Sequence, residues 1–381
     1  MKIKVALAVL LSFVSGMASV SAQTVVDVTG VGTAKMTVDI AVADKAFASS
    51  LKRNLELSGC FTVVRGGGIK VTGAPGSIRA EGRGKAIAAE AFSDDKSARM
   101  AARKLSDRMC EEYAKQKGFA TDRIAFVSRK GKDVSELCVC YPDGYDIRQL
   151  TGKGRTVVGP RWKDDNTIFY TGIINAGPQI WEFNTATGQY KLRWSFKGLS
   201  TGATVSPDGN YVAIILSFQG NPELYVINLA TKKWRRLTNT PLASEGQPAW
   251  SPDGRKIVYV SDETRRPHLY VIDVASGSKR RITSKGAQNV DPDWGPDGRI
   301  AYITKRGGSQ VAVLDPAAGD ASAKLITTPG NWEHPSWAKD NRHVVAGRDK
   351  ALFVVDTAED GDKPRQVFHA AGNWITPTWS R

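Results

Sequence analysis

Three Ser-x-x-Lys elements, Ser49–Lys52, Ser93–Lys96 and Ser276–Lys279, hold a hydroxyl and an amine at a spacing some acyl-transfer enzymes use. They fall in unrelated contexts without companion motifs and read as chance. Aspartates recur more regularly: Asp165, Asp208, Asp253, Asp297 and Asp340 are spaced 43, 45, 44 and 43 residues apart. Carboxylates gathered around one axis could do acid–base work in a hydrolase or lyase. Their neighbours point elsewhere. Ser206-Pro207-Asp208-Gly209, Ser251-Pro252-Asp253-Gly254 and Gly295-Pro296-Asp297-Gly298 are tight-turn sequences, with degenerate copies at Lys163–Asn166 and Ala338–Asn341. Pro presets φ, Asp tolerates the third position and Gly accepts positive φ at the fourth. No catalytic residue is expected. Gly30-Val31-Gly32 and Gly82-Arg83-Gly84 are too fragmentary for a phosphate loop, so no cofactor is expected either. With four His, none at ligand-like spacing from a Cys, no metal site is expected.

The elements that carry these turns decide the fold. A period of roughly 40–45 residues with strand-like content marks a β-propeller, one four-stranded blade per repeat. In the cleanest copy, strands are expected at Pro248–Trp250, Arg255–Ser261, His268–Val274 and Lys279–Thr283. The middle pair are apolar runs, as a sheet covered on both faces requires. Trp162, Trp250, Trp294, Trp337 and Trp379 recur in Pro-x-Trp and are expected to fill wedges between blades; Ala203-Thr204-Val205 departs from the pattern. Residues 123–150 read as a blade lacking its first strand, and 374–381 as a first strand lacking the rest. Joined, they close a ring of six blades and remove the exposed sheet edges. The fold class is therefore mainly β: a six-bladed β-propeller with an N-terminal small α/β domain. The expected boundaries are 1–22 for a signal peptide, 23–121 for the α/β domain and 122–381 for the propeller.

The leader carries Lys2 and Lys4, an apolar run Val5–Val14, and Val20-Ser21-Ala22, implying export with cleavage before Gln23. The periplasm is the expected compartment in a cell with an outer membrane. The formal charge is 53 − 38 = +15, so anionic envelope surfaces or an acidic partner could attract the chain; export argues against nucleic acid. Cys60 and Cys110 could form a disulfide in an oxidising compartment. Cys138 and Cys140 share one strand face and read as small buried hydrophobes. In the α/β domain a strand is expected at Thr24–Thr29 and another at Cys60–Val64. An amphipathic helix is expected at Ala43–Ser58. A second helix should run from Asp94 or Asp95 to about Lys117, with Gly118 as its stop. A short connection, Phe119–Asp122, suggests that the two domains touch.

Leu55-Glu56-Leu57-Ser58-Gly59-Cys60-Phe61, Ser106-Asp107-Arg108 and Gly118–Val127, in this domain order, resemble the TolB family of the Tol-Pal envelope system. The resemblance covers nearly all of the mature chain. It implies a monomeric scaffold that binds a Pal-like lipoprotein on one propeller face and a TolA-like inner-membrane protein through its mature N-terminus. The TolA-facing segment would begin Gln23, Thr24, Val25, Val26, Asp27, Val28. The Pal-facing surface would include loops entering each first strand: Ser244, Glu245, Gly246 and Gln247; Gln288, Asn289, Val290 and Asp291; Trp332, Glu333 and His334; and Trp374, Ile375 and Thr376. Trp332, Trp374 and His334 are candidate aromatic anchors, or else packing groups between blades. Two alternatives stay open: an exported propeller that binds glycan or peptide through its channel, and a hydrolase or lyase using channel carboxylates. A propeller peptidase would also need an α/β-hydrolase domain with a Gly-x-Ser-x-Gly elbow, and no such element is expected in this sequence.

Overall fold

Each repeat folds into a four-stranded antiparallel meander, and six such sheets form the ring in this computed structural model. The structure describes residues 35–131, 134–152, 156–174, 177–358, 363–368 and 372–380. The leader and Gln23–Val28 lie outside them. In the repeat read most clearly from sequence, the strands are Glu245–Trp250, Lys256–Ser261, His268–Asp273 and Lys279–Arg281. The first strand is the sheet edge. That position tolerates Pro248, which offers no N–H to a ladder. The register also shifts there, between Gly246 and Ala249, so the bulge absorbs the proline.

The C-terminal strand Trp374–Trp379 pairs antiparallel with Ile124–Arg129, with Trp379 opposite Ile124 and Trp374 opposite Ser128. First and last segments of the ring thus share one sheet. Cores lie between blades. Trp250, 1 % exposed, packs with Ala213, Ile215 and Leu224 of the preceding blade and donates Nε1–H to the Thr204 carbonyl at 3.0 Å. Trp162 does the same toward Thr378 O at 3.1 Å. Cys138 and Cys140 are buried in the cluster that holds Trp379.

Ahead of the ring, β1 (Met36–Ala41) stands between β2 (Phe61–Val63) and β3 (Ile69–Thr72), parallel to both; β4 (Arg79–Gly82) and β5 (Lys85–Ala88) extend the sheet. The sequence reading assigned no strand to Met36–Ala41. Helix α1 (Lys45–Leu57) starts at Asp44, whose carboxylate accepts from Phe47 N. Helix α2 (Asp95–Met109) starts with a capping box between Asp94 and Ser97. It gives way to a π-helical turn, Cys110–Ala114, ended by Lys115 at φ 56°. The expected stop at Gly118 is corrected: the left-handed residue that ends the helix is Lys115. Phe47, Leu51, Leu55, Ala98, Ala102, Leu105 and Met109 form the core beneath the sheet.

Phe119 packs edge-on against Trp379 with centroids 5.2 Å apart, while Asp107 accepts from Ala120 N and Thr121 N, fixing the connection into the ring. No helix among the described residues is long and apolar enough to cross a membrane.

Candidate partner-binding face

One backbone feature repeats around the ring. Gly159, Gly202, Gln247, Asp291, His334 and Thr376, equivalent positions on the six first strands, all have positive φ, between 47° and 68°. Glycine takes this conformation freely, whereas other L-residues are strained in it by about 1–2 kcal/mol. Four of the six positions nevertheless carry Gln, Asp, His and Thr. Strained residues held in place by their surroundings cluster at ligand-binding sites. The local cause is the bulge: each of the six falls within the register shift between the first and second strands of its blade, and five of them precede a proline.

Three of these side chains form a chain of hydrogen bonds from blade to blade. Asp291 N donates to Gln247 Oε1 at 2.9 Å, and Gln247 Nε2 donates to Asp291 Oδ1. His334 N donates to Asp291 Oδ2 at 3.1 Å, and His334 Nδ1 lies 3.2 Å from Asp291 Oδ1. The Thr376 hydroxyl, buried, meets no partner. Beside them the Glu333 carboxyl is pushed up by burial and by Asp291, with His334 and Arg129 opposing. A partner offering hydrogen-bond donors or a positive charge would meet preset acceptors here.

Among the expected site residues, the structure places most within strands rather than loops. Glu245–Gln247, Asn289–Asp291, Trp332–His334 and Trp374 open the first strands; only Ser244 and Gln288 precede them. Some of these residues are spent internally. Trp332 is 2 % exposed; Arg348 lies over one face of its ring, Phe353 meets it edge-on, and its Nε1–H donates to Thr328 O at 3.1 Å. It anchors its strand and is not an exposed aromatic. Asn289 is fully buried and bonds His268 Nδ1 and Lys285 O. Glu245, also buried, accepts from Thr240 and Ser261, and burial pushes its carboxyl up to about 7. Ser244 and Gln288 are exposed, and Gly246, Gln247, Glu333, His334 and Trp374 are half-buried; these seven present the face. Trp374 leans on Phe368, centroids 4.4 Å apart. Sequence reasoning included Thr376 but left one contributor outside the site: Glu223, which Thr240 bridges to Glu245.

The opposite ends of these strands hold the repeated aspartates. Asp253 Oδ1 accepts from Ser251 Oγ at 2.6 Å and Arg255 N at 3.1 Å, and Asp297 and Asp340 cap their turns likewise. The Ser251 hydroxyl and the Arg255 amide hold the Asp253 carboxyl below its ordinary range. A cavity of about 220 Å³ there is lined by Pro207, Pro252, Pro296, Trp250, Trp294 and Trp337. The expectation of no Gly-x-Ser-x-Gly pattern is corrected: one occurs at Gly198–Gly202. Ser200 is buried on a strand and accepts from Phe196 N at 3.3 Å, not raised on a strand-to-helix elbow. The described histidines are engaged elsewhere, with Asn289, Asp291 and Asp340. Cys60 and Cys110 are free thiols, side by side.

Comparison with known proteins places this architecture. Residues 110–381 match the family model described as the TolB beta propeller domain. The Tol-Pal system protein TolB of Gluconobacter oxydans is 32 % identical over 330 residues, 80 % of this chain and 72 % of that one. The Francisella tularensis protein of the same name is 28 % identical over 150 residues, 37 % of this chain and 34 % of that one. The crystal structure of TolB from Acinetobacter baumannii superposes with a TM-score of 0.80 at 23 % identity, covering 91 % of this chain and 96 % of that one.

Proposed function

The chain belongs to the TolB family, and we propose that it is a non-enzymatic scaffold of a periplasmic Tol-Pal system, using the ring face around Gln247, Asp291 and His334 to hold a Pal-like lipoprotein. Gln23–Val28 and the residues up to about Lys35 would reach a TolA-like inner-membrane protein, linking the two membranes for envelope integrity and constriction at division. The relatives' shared name supports the system. One observation carries the face: four strained polar side chains stand at equivalent positions of the inner strands, three of them hydrogen-bonded in series. Such preset polar groups surrounded by half-buried residues are what a specific, partly desolvated contact uses.

The test is titration calorimetry of the mature protein with the soluble domain of the Pal-like lipoprotein encoded by the same genome. Asp291→Asn and His334→Ala should each weaken binding by about tenfold or more, as loss of a buried interfacial hydrogen bond does. Deleting residues 23–35 should leave this binding and the melting temperature unchanged while abolishing capture of the TolA-like domain. If no lipoprotein is retained and a sugar or peptide raises the melting temperature instead, the scaffold reading fails.

A further inference from the structure

Cys60 follows α1, and Cys110 opens the π-helical turn after α2. Cys60 packs against the core cluster that contains Cys110, and each thiol is the first cause of the other's displaced ionisation. The pair is asymmetric. Cys110 is 2 % exposed, whereas Cys60 is half-buried and within reach of solvent. Cys60 also sits at the seam with the ring. Arg342 Nη1 donates to its sulfur at 3.5 Å, and the same guanidinium grips Asp356 at 2.9 and 2.6 Å and Gln116 Oε1 at 3.2 Å. As a thiol, Cys60 has the Ser58 carbonyl to donate to, at 3.4 Å. As a thiolate, it accepts from Arg342. The Cys110 thiol and then the Arg342 charge draw the Cys60 thiol down to about 6, against burial. Cys110 is pushed well up by the Cys60 thiol and by burial, with Asp107 adding negative charge. One attacking sulfur beside one reserved sulfur is the arrangement of disulfide exchange.

We propose that Cys60 and Cys110 are a thiol–disulfide exchange pair, Cys60 attacking and Cys110 resolving, with Arg342 of the ring holding the attacking sulfur. The oxidant is a small or protein disulfide, RSSR. The Cys60 thiolate attacks one of its sulfurs, a Cys60–SR bond forms and RS⁻ leaves. Cys110 gives its proton to solvent, its sulfur attacks the Cys60 sulfur, and the second RS⁻ leaves. The net change is two thiols oxidised to one intramolecular disulfide and RSSR reduced to two RSH. Cys138 and Cys140 are internal controls: both are buried in blade cores, and burial pushes Cys138 up to about 11.

The experiment incubates the whole protein with oxidised glutathione at neutral pH and maps peptides by mass spectrometry without reduction. A Cys60–Cys110 cross-link is expected, with Cys138 and Cys140 unmodified. Cys110→Ser should trap Cys60 as its glutathione adduct, and Cys60→Ser should leave Cys110 unreacted. Alkylation of Cys60 in Cys110→Ser, followed against pH, should slow at least tenfold at neutral pH on Arg342→Gln and recover on Arg342→Lys. Cooperative melting of each variant certifies the fold; where Arg342→Gln fails it, the single-cysteine pair alone decides. No cross-link in the folded wild type, or capture of Cys110 in place of Cys60, overturns the proposal.

Discussion

Arg103 of α2 and Asp143 of the ring meet as a two-pronged ion pair, Nε to Oδ2 at 2.8 Å and Nη2 to Oδ1 at 2.9 Å, with both side chains essentially withdrawn from water. Each charge is further satisfied. Asp143 accepts from Ser50 and Asn54, and Arg103 reaches Asp146 and lies over the Tyr141 ring at 3.8 Å. Removing one partner strands the other without solvation, which costs about 3–5 kcal/mol. Arg103→Ala and Asp143→Ala should each lose about that much in urea denaturation. A loss below about 1 kcal/mol would show that this seam does not depend on the pair.

That pair illustrates what a sequence withholds. Arg103 reads as an exposed position on a charged helix; its partner lies 40 residues on, in a hairpin turn of the ring. Nothing local announces it. The ring itself was legible because each repeat states its own turn and wedge residue, and Trp250 and Trp162 occupy the places that their Pro-x-Trp context implies. Met36–Ala41 was legible: MTVDIA alternates apolar Met36, Val38 and Ile40 with polar Thr37 and Asp39, the period of a half-buried strand, and that strand pairs with β2 and β3. The face was half legible. The strand-entry segments were found, but burial divides them: Trp332 and Asn289 face inward to neighbours that sequence spacing does not reveal.

Ring closure predicts a truncation phenotype. Without residues 374–381, Ile124–Arg129 becomes an unpaired edge and Trp379, fully buried, leaves a large void beside Phe119. An exposed, apolar strand edge templates association. The shortened protein should lose its cooperative melt and elute as aggregates in size-exclusion chromatography. A monomer with native melting would contradict closure by this strand.

Stability should fall as pH rises through neutrality. The buried Glu245 carboxyl is pushed up to about 7 by burial, with the Glu223 charge reinforcing and the Thr240 hydroxyl opposing. In the unfolded chain it titrates near ~4.3. Between these values the folded state keeps a proton that the unfolded state has released. The folded state is therefore favoured at the lower pH and loses that advantage as pH passes about 7. Asp122, pushed up to about 7 chiefly by burial, acts in the same direction. Glu245 contributes at most about 3 kcal/mol to the difference between about pH 5 and about pH 8. Glu245→Gln should flatten the curve by its share, measured by urea denaturation at both pH values, and an unchanged slope would remove Glu245 as the cause.

Thr376 separates strain kept for binding from strain that is merely tolerated. A β-branched residue at φ 48° is among the least favourable placements on the inner strands, and its buried hydroxyl has no partner. Gly159 and Gly202 show that glycine fits the equivalent position. Thr376→Gly relieves about 1–2 kcal/mol of left-handed strain. It gives back about 0.5–1 kcal/mol to the freer unfolded chain. A net gain approaching about 1 kcal/mol is expected by denaturation. If the hydroxyl is reserved for a partner, the same variant should bind the Pal-like domain several-fold more weakly despite its greater stability. Higher stability with unchanged affinity would make Thr376 a tolerated defect of the ring and confine the binding role to Gln247, Asp291 and His334.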